Sequence, residues 1–247
     1  MAMQPRRRVP AARWLAVTAT ALVAAGCAPQ SVTEQGRAIH NLYNLFLYIA
    51  AVVYVIVAVL VIWSVIRYRR RDDELPKQTH GNNRLELTWT AIPFVIVLFL
   101  FAATIQAQNK VLDPVAQPAV KVTVTAFQWS WRFTYEGTGA EVIGTPDRVP
   151  ELVLPVGQPV RVKLVSADVV HAFYVPQTLF KRQAIPGFTN EFDLTFEKVG
   201  LYHGQCTQFC GLQHPDMVFR VRVVTQGEYQ SWLAAARRST AAGQPGT

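Results

Sequence analysis

The sequence predicts an all-β exported domain preceded by a two-helix transmembrane hairpin. Three observations predict it: two long uncharged apolar runs in the first half, period-two alternation of apolar residues in the second half, and a basic amino terminus leading into a short apolar stretch. The composition agrees, because 247 residues with 51% hydrophobic and only 16% charged side chains and a mean hydropathy of +0.17 exclude a disordered chain and leave room for membrane spans beside a core. The formal net charge is +8. Four of those charges are Arg6, Arg7, Arg8 and Arg13, with no acid near them, so the basic excess gives little support to nucleic-acid binding. Three cysteines, Cys27, Cys206 and Cys210, are too few for a disulfide scaffold.

Residues 1–26 read as a signal peptide: a basic segment, the 12-residue apolar stretch WLAVTATALVAA, and then Ala24-Ala25-Gly26-Cys27. Twelve residues are too short to cross a bilayer, which takes about 20. The last four residues resemble a bacterial lipobox, which implies lipidation of Cys27; the plainer alternative is an ordinary signal peptide or an uncleaved anchor with an incidental cysteine.

Within an N-terminal segment covering 27–110, residues 42–66 and 87–106 carry no charge. As a helix the first run is about 37 Å long, enough to span a membrane. The second contains Pro93, which spanning helices tolerate where neighbours satisfy the freed carbonyl. Arg67, Arg69, Arg70, Arg71, Lys77 and Arg84 lie between the runs, and a short Lys/Arg-rich loop stays in the cytoplasm. Both outer ends therefore face outward, in agreement with the export signal, and the expected location is a bacterial plasma membrane. Glu86 stands one residue before the second run. Such an acid suggests a solvated helix end, or a point of proton or ion uptake.

The exported domain is expected over 118–226. Val120, Val122 and Val124 alternate with polar residues, as do Val160, Val162 and Leu164, and Phe219, Val221 and Val223; glycines and prolines punctuate the runs. This predicts a β-sandwich or Greek-key barrel of about 110 residues. The lysines and arginines on the alternate positions read as solvated strand surface. Thr225 and Glu228 form a capping-box pattern ahead of Tyr229, Trp232, Leu233 and Ala236, which predicts a short packed helix over 227–238. Residues 239–247 read as a disordered tail.

The chemistry concentrates in Cys206-Thr-Gln-Phe-Cys210-Gly-Leu-Gln-His214-Pro-Asp-Met217, with His171 at the end of a strand 35 residues upstream as a further ligand candidate. Thiolate, thioether and imidazole together suit copper in a redox role. By spacing alone three alternatives remain: a structural disulfide, a tetrahedral Cys2His2 zinc site, and a mononuclear blue copper that would leave one cysteine without a role.

The Cys-x-x-x-Cys-Gly-x-x-His-x-x-Met motif, the upstream Asp168-Val-Val-His171, the segment Phe127-Gln128-Trp129-Ser130-Trp131 and the membrane hairpin together resemble subunit II of the haem-copper cytochrome c oxidases, over residues 38–235. The resemblance implies a cupredoxin-like fold with a binuclear CuA centre. Cys206 and Cys210 would bridge two coppers; His171 and Met217 would complete one, and His214 with the main-chain carbonyl of Gln208 the other. It further implies that Trp129 receives the electron from cytochrome c, that Glu86 lies at the entrance of a proton pathway, and that Asp168 stands near the docking region. Many relatives carry Glu where Gln208 stands, so an interfacial magnesium shared with subunit I is put in doubt. His203 has no motif role and reads as structural.

The function implied is electron uptake from a c-type cytochrome, soluble or tethered, and delivery through CuA to haem in subunit I. Oxygen reduction and proton translocation would then occur in subunit I, which carries haem and CuB, with subunit III as a further partner. Two other readings are a CuA subunit of a nitric-oxide-reducing relative and a membrane-anchored copper carrier. Residues 118–247 hold 12 basic and 10 acidic side chains, a near balance that provides no overall acidic face for a basic soluble donor.

Overall fold

The computed structural model describes residues 30–70, 78, 80–145 and 147–242. The expected signal peptide, Cys27, Arg71, Lys77 and residues 243–247 lie outside them.

Helix α1 runs Glu34–Arg67 and α2 runs Asn83–Leu112. Each begins on a side-chain cap: Thr33 accepts from the Gly36 N–H, and Asn82 accepts from the Arg84 and Leu85 N–H groups. These caps satisfy donors that have no partner in the first turn. Both helices extend past the apolar runs into polar sequence. They pack on one another, and large apolar side chains such as Tyr54, Ile56, Leu87 and Phe94 remain more than half exposed. Apolar exposure on this scale marks a lipid-facing surface, and both helices are long and apolar enough to cross a membrane. Pro93 lies inside α2 without ending it.

Among the described residues ten strands follow: β1 Val120–Phe127, β2 Ser130–Tyr135, β3 Ala140–Ile143, β4 Glu151–Pro155, β5 Pro159–Ser166, β6 His171–Val175, β7 Phe180–Ala184, β8 Asn190–Thr195, β9 Gly200–Cys206 and β10 Val218–Val224. They form two five-stranded sheets, ordered β3-β2-β1-β5-β8 and β4-β10-β9-β6-β7. The β1/β5 and β10/β4 pairs are parallel, and the other pairings are antiparallel. The result is the expected sandwich. In β1, Val120, Val122, Val124 and Ala126 are buried while their neighbours are not, as one buried face requires.

Between the sheets the core centres on aromatic rings. Trp131 packs edge-on against Phe173 and Phe219, at 5.9 and 5.0 Å between centroids, and Phe173 stacks on Phe219 at 4.6 Å. Gly204 makes room for this cluster, since a Cβ there would come within 2.1 Å of the Phe219 ring. The buried Tyr135 hydroxyl donates to the Val153 carbonyl and accepts from the Val153 N–H, which ties the two sheets together.

Helix α3, Gln226–Ala241, closes the open end of the core with Tyr229, Leu233 and Ala236. Its capping box is present as expected. The helix continues three residues beyond the expected limit, so Ser239–Ala241 are helical rather than tail; Thr240 bonds the backbone of Glu141 on β3 and holds that last turn down.

Candidate metal centre

Four chain segments converge at one end of the sandwich. His171 opens β6, Cys206 closes β9, Met217 immediately precedes β10, and Gln128 and Trp129 form the β1–β2 turn. Register brings the first three together: Phe173 pairs with Cys206, Gln205 pairs with Val218, and the Cys206 N–H donates to the Met217 carbonyl at 2.9 Å. Between Cys206 and Met217 the chain loops out and returns through a 3-10 turn, His214–Asp216. Gly211 turns the loop with φ +121°, and a Cβ there would lie 3.0 Å from the Trp129 ring.

The donor atoms meet. The two thiol sulfurs are 3.9 Å apart, His171 Nδ1 is 3.9 Å from Cys206 Sγ, His214 Nδ1 is 3.4 Å from Cys210 Sγ, and Met217 Sδ is 3.7 Å from Cys210 Sγ. The Gln208 carbonyl lies 3.2 Å from Cys206 Sγ. Among the described residues, His171, Cys206 and Cys210 form the one His/Cys/Asp/Glu group close enough to hold a metal ion, and all three are buried. Both cysteines are free, and their sulfurs stand well outside the roughly 2.0 Å of a disulfide bond.

The electrostatics favour a thiolate at Cys206. Burial opposes ionisation, but hydrogen bonds from His171 and the surrounding backbone outweigh it and lower the Cys206 pKa to about 6. Burial and the neighbouring Cys206 charge push Cys210 up to about 12. Of the two thiols sharing this small space, Cys206 is the readier to ionise.

Asp168 orients the histidine. Its Oδ1 lies 2.7 Å from His171 Nε2, which leaves Nδ1 facing Cys206, the carboxylate–imidazole arrangement that fixes a metal-binding ring. Burial disfavours both charges, yet their mutual hydrogen bond, with the Cys206 contact on one side and backbone N–H groups on the other, raises His171 and lowers Asp168 from their ordinary values. Asp168 Oδ2 also accepts from the Gln128 N–H at 2.6 Å. In addition, the Gln128 amide and the Trp129 indole N–H both donate to the Cys210 carbonyl, at 2.8 and 3.1 Å. Gln128 escaped the sequence reading as a site residue; its place beside Trp129 in an aromatic-rich segment was the available signal.

Not every anticipated residue joins the cluster. Glu86 is exposed in the first turn of α2, at the opposite end of that helix from the sandwich. His203 is exposed on β9 opposite Arg220, outside the donor set. Gln208 directs its side chain toward Gln183, whose amide donates to it at 3.4 Å.

Residues 24–106 match the family model for the transmembrane domain of cytochrome c oxidase subunit II, and residues 146–224 match that for its periplasmic domain. The chain belongs to the cytochrome c oxidase subunit II family. The probable cytochrome c oxidase subunit 2 of Nocardia farcinica is 32% identical over 88% of this chain and 78% of its own length. The probable subunit 2 of Streptomyces avermitilis is 34% identical, over 83% and 77% respectively. The crystal structure of the periplasmic domain of subunit II from Bradyrhizobium japonicum covers 51% of this chain and 99% of its own, at 33% identity and a TM-score of 0.48.

As a subunit II, this protein is part of a haem-copper terminal oxidase, an oxidoreductase complex with other subunits. It spans the membrane twice, with the cupredoxin-like domain outside. Its buried His171, Cys206 and Cys210 form a group close enough together to hold a metal ion.

Proposed function

We propose that the six donors hold a binuclear copper centre of the CuA type and that this chain passes electrons from a c-type cytochrome to haem in subunit I. Cys206, Cys210, His171, Met217, His214 and the Gln208 carbonyl would hold the ions, with the two thiols shared between them. The observation that carries this reading is the grouping of two thiols, two imidazole Nδ1 atoms and a thioether at 3.4–3.9 Å spacings. A tetrahedral zinc site needs four donors and a blue-copper site needs one cysteine, whereas a second thiol together with the thioether suits two soft ions. Bound copper supplies one-electron redox chemistry.

The chain's own groups prepare that site. Asp168 holds His171 in one orientation, the sandwich ends hold both thiols with little room to shift, and burial excludes water. Trp129 serves as the point where an electron from the cytochrome arrives, a role supported by its half-buried ring, packed over the loop and bonded to the Cys210 carbonyl. Glu86, at the loop end of α2, serves as the entrance of a proton pathway in subunit I. Because Gln208 carries an amide where many relatives carry a carboxylate, it supplies no charged ligand to an interfacial magnesium. Cys27 is the lipid-bearing residue after removal of residues 1–26. Subunits I and III are the membrane partners.

Copper analysis of the full-length protein tests the reading, together with reduction by a c-type cytochrome. Two coppers per chain, lost in Cys206→Ser and Cys210→Ser and reducible by the cytochrome, support it. One zinc per chain contradicts it.

A further inference from the structure

Both ends of the membrane hairpin are seated on β8 and the two residues that follow it. Where the chain approaches α1, Thr33 forms an antiparallel bridge with Phe196, the Val32 carbonyl accepts from the Glu197 N–H, and the Val32 N–H donates to the Gln177 carbonyl. The Gln35 side chain accepts from the Thr195 N–H at 3.1 Å, and Arg37 pairs with Glu197 at 2.8 Å. Thr33 and Gln35 are buried. Gly36 passes so close to β8's surroundings that a Cβ would meet the Thr178 carbonyl at 2.3 Å.

Where the chain leaves α2, a single ion pair takes both backbone groups of one linker residue. The Val115 N–H donates to Asp193 Oδ2 at 2.5 Å, and the Val115 carbonyl accepts from Arg161 at 2.7 Å. Arg161 and Asp193 are themselves joined by two hydrogen bonds of 2.8 Å, Nε to Oδ1 and an Nη to Oδ2. The Asp193 side chain is only 3% exposed and that of Arg161 18%. A buried pair of this kind adds little net stability over apolar side chains of similar size. It does fix position, because a carboxylate and a guanidinium held in fixed register take the N–H and C=O of Val115 together.

We infer that Arg161 and Asp193 are positioning residues: with Gln35 they pin both ends of the hairpin to β8, and so fix the alignment of the metal centre with its electron acceptor in the membrane. The linker is a strut rather than a tether. This rests on the electron-transfer role proposed above.

The test uses the complete oxidase carrying the double substitution Arg161→Met and Asp193→Leu, which leaves no charge stranded and so preserves folding, beside the single variant Asp193→Asn. Three quantities are measured: hydrogen exchange of the 113–118 linker amides, the spectrum and potential of the copper centre, and the separate rates of electron uptake from cytochrome c and of transfer onward to haem. In the double variant, linker exchange is expected to accelerate about tenfold, the loss of one hydrogen bond's worth of protection, and in Asp193→Asn, which keeps an acceptor oxygen, by less. The copper signature and the uptake rate stay as in the parent, while onward transfer slows by about threefold or more, as when a reacting partner is held less well in place. Onward transfer at the parental rate despite a loosened linker, or linker exchange unchanged in the double variant, overturns the inference. A parent lacking any copper signature overturns instead the reading on which it rests, and is recognised because linker protection is measured without reference to copper.

Discussion

Trp129 donates its indole N–H to the main-chain carbonyl of Cys210, 3.1 Å away. One half-buried ring is thereby bonded directly to the backbone of a cysteine in the candidate metal centre, and the same carbonyl receives the Gln128 amide. Trp129→Phe keeps a ring and loses that donor. Domain stability should fall by about 1 kcal/mol with copper retained, and reduction of the centre by cytochrome c should slow; stopped-flow reduction of the loaded protein measures it. Uptake at the parental rate would place electron arrival elsewhere.

Asp168→Asn removes the carboxylate that fixes His171. Replacing a group that orients a metal-binding imidazole typically costs about 10–100-fold in metal affinity, so copper competition titrations should show a loss of that size with the sandwich intact by circular dichroism.

Met217→Leu tests the thioether. The side chain is fully buried and the swap conserves volume, costing less than about 1.5 kcal/mol. Copper should remain bound while its potential and absorption shift, because the two thiols and two imidazoles persist.

The capping box of α3 gives a pH dependence. Hydrogen bonds from Thr225 hold the Glu228 pKa below the ordinary carboxylate value. A carboxylate depressed by folding stabilises above its unfolded pKa and loses that contribution as pH falls through its folded pKa. The helix end should therefore loosen in acid, seen as faster amide exchange over 226–229, and Glu228→Gln should abolish that dependence. Thr225→Ala should cost about 1 kcal/mol at neutral pH.

Gly204→Ala probes the core beneath the metal site. With Phe219 only 2.1 Å from the new methyl, overpacking should cost about 1–3 kcal/mol in a denaturant titration.

How far the sequence discloses all this depends on the range of the interaction. The spans are legible because lipid imposes a long uncharged run, and the Cys206–Met217 donors because they are close in sequence. Strands β1, β5 and β10 show their alternation. Strand β4 does not, since Leu152, Val153 and Leu154 are all buried, and β7 hides behind Lys181, Arg182 and Gln183. Arg161 reads as solvated strand surface, yet it is an ion-paired, mostly buried side chain; its partner lies 32 residues away, and nothing local distinguishes it from Lys163. Gln128 shows only its place beside Trp129, because the carbonyl it bonds, that of Cys210, is 82 residues distant.

The most direct measurement is electron paramagnetic resonance of the full-length, copper-loaded protein in its oxidised form. A hyperfine pattern from one unpaired electron shared equally by two coppers is the expected result. The pattern of a single copper, or no signal from a fully loaded oxidised sample, would contradict the binuclear centre.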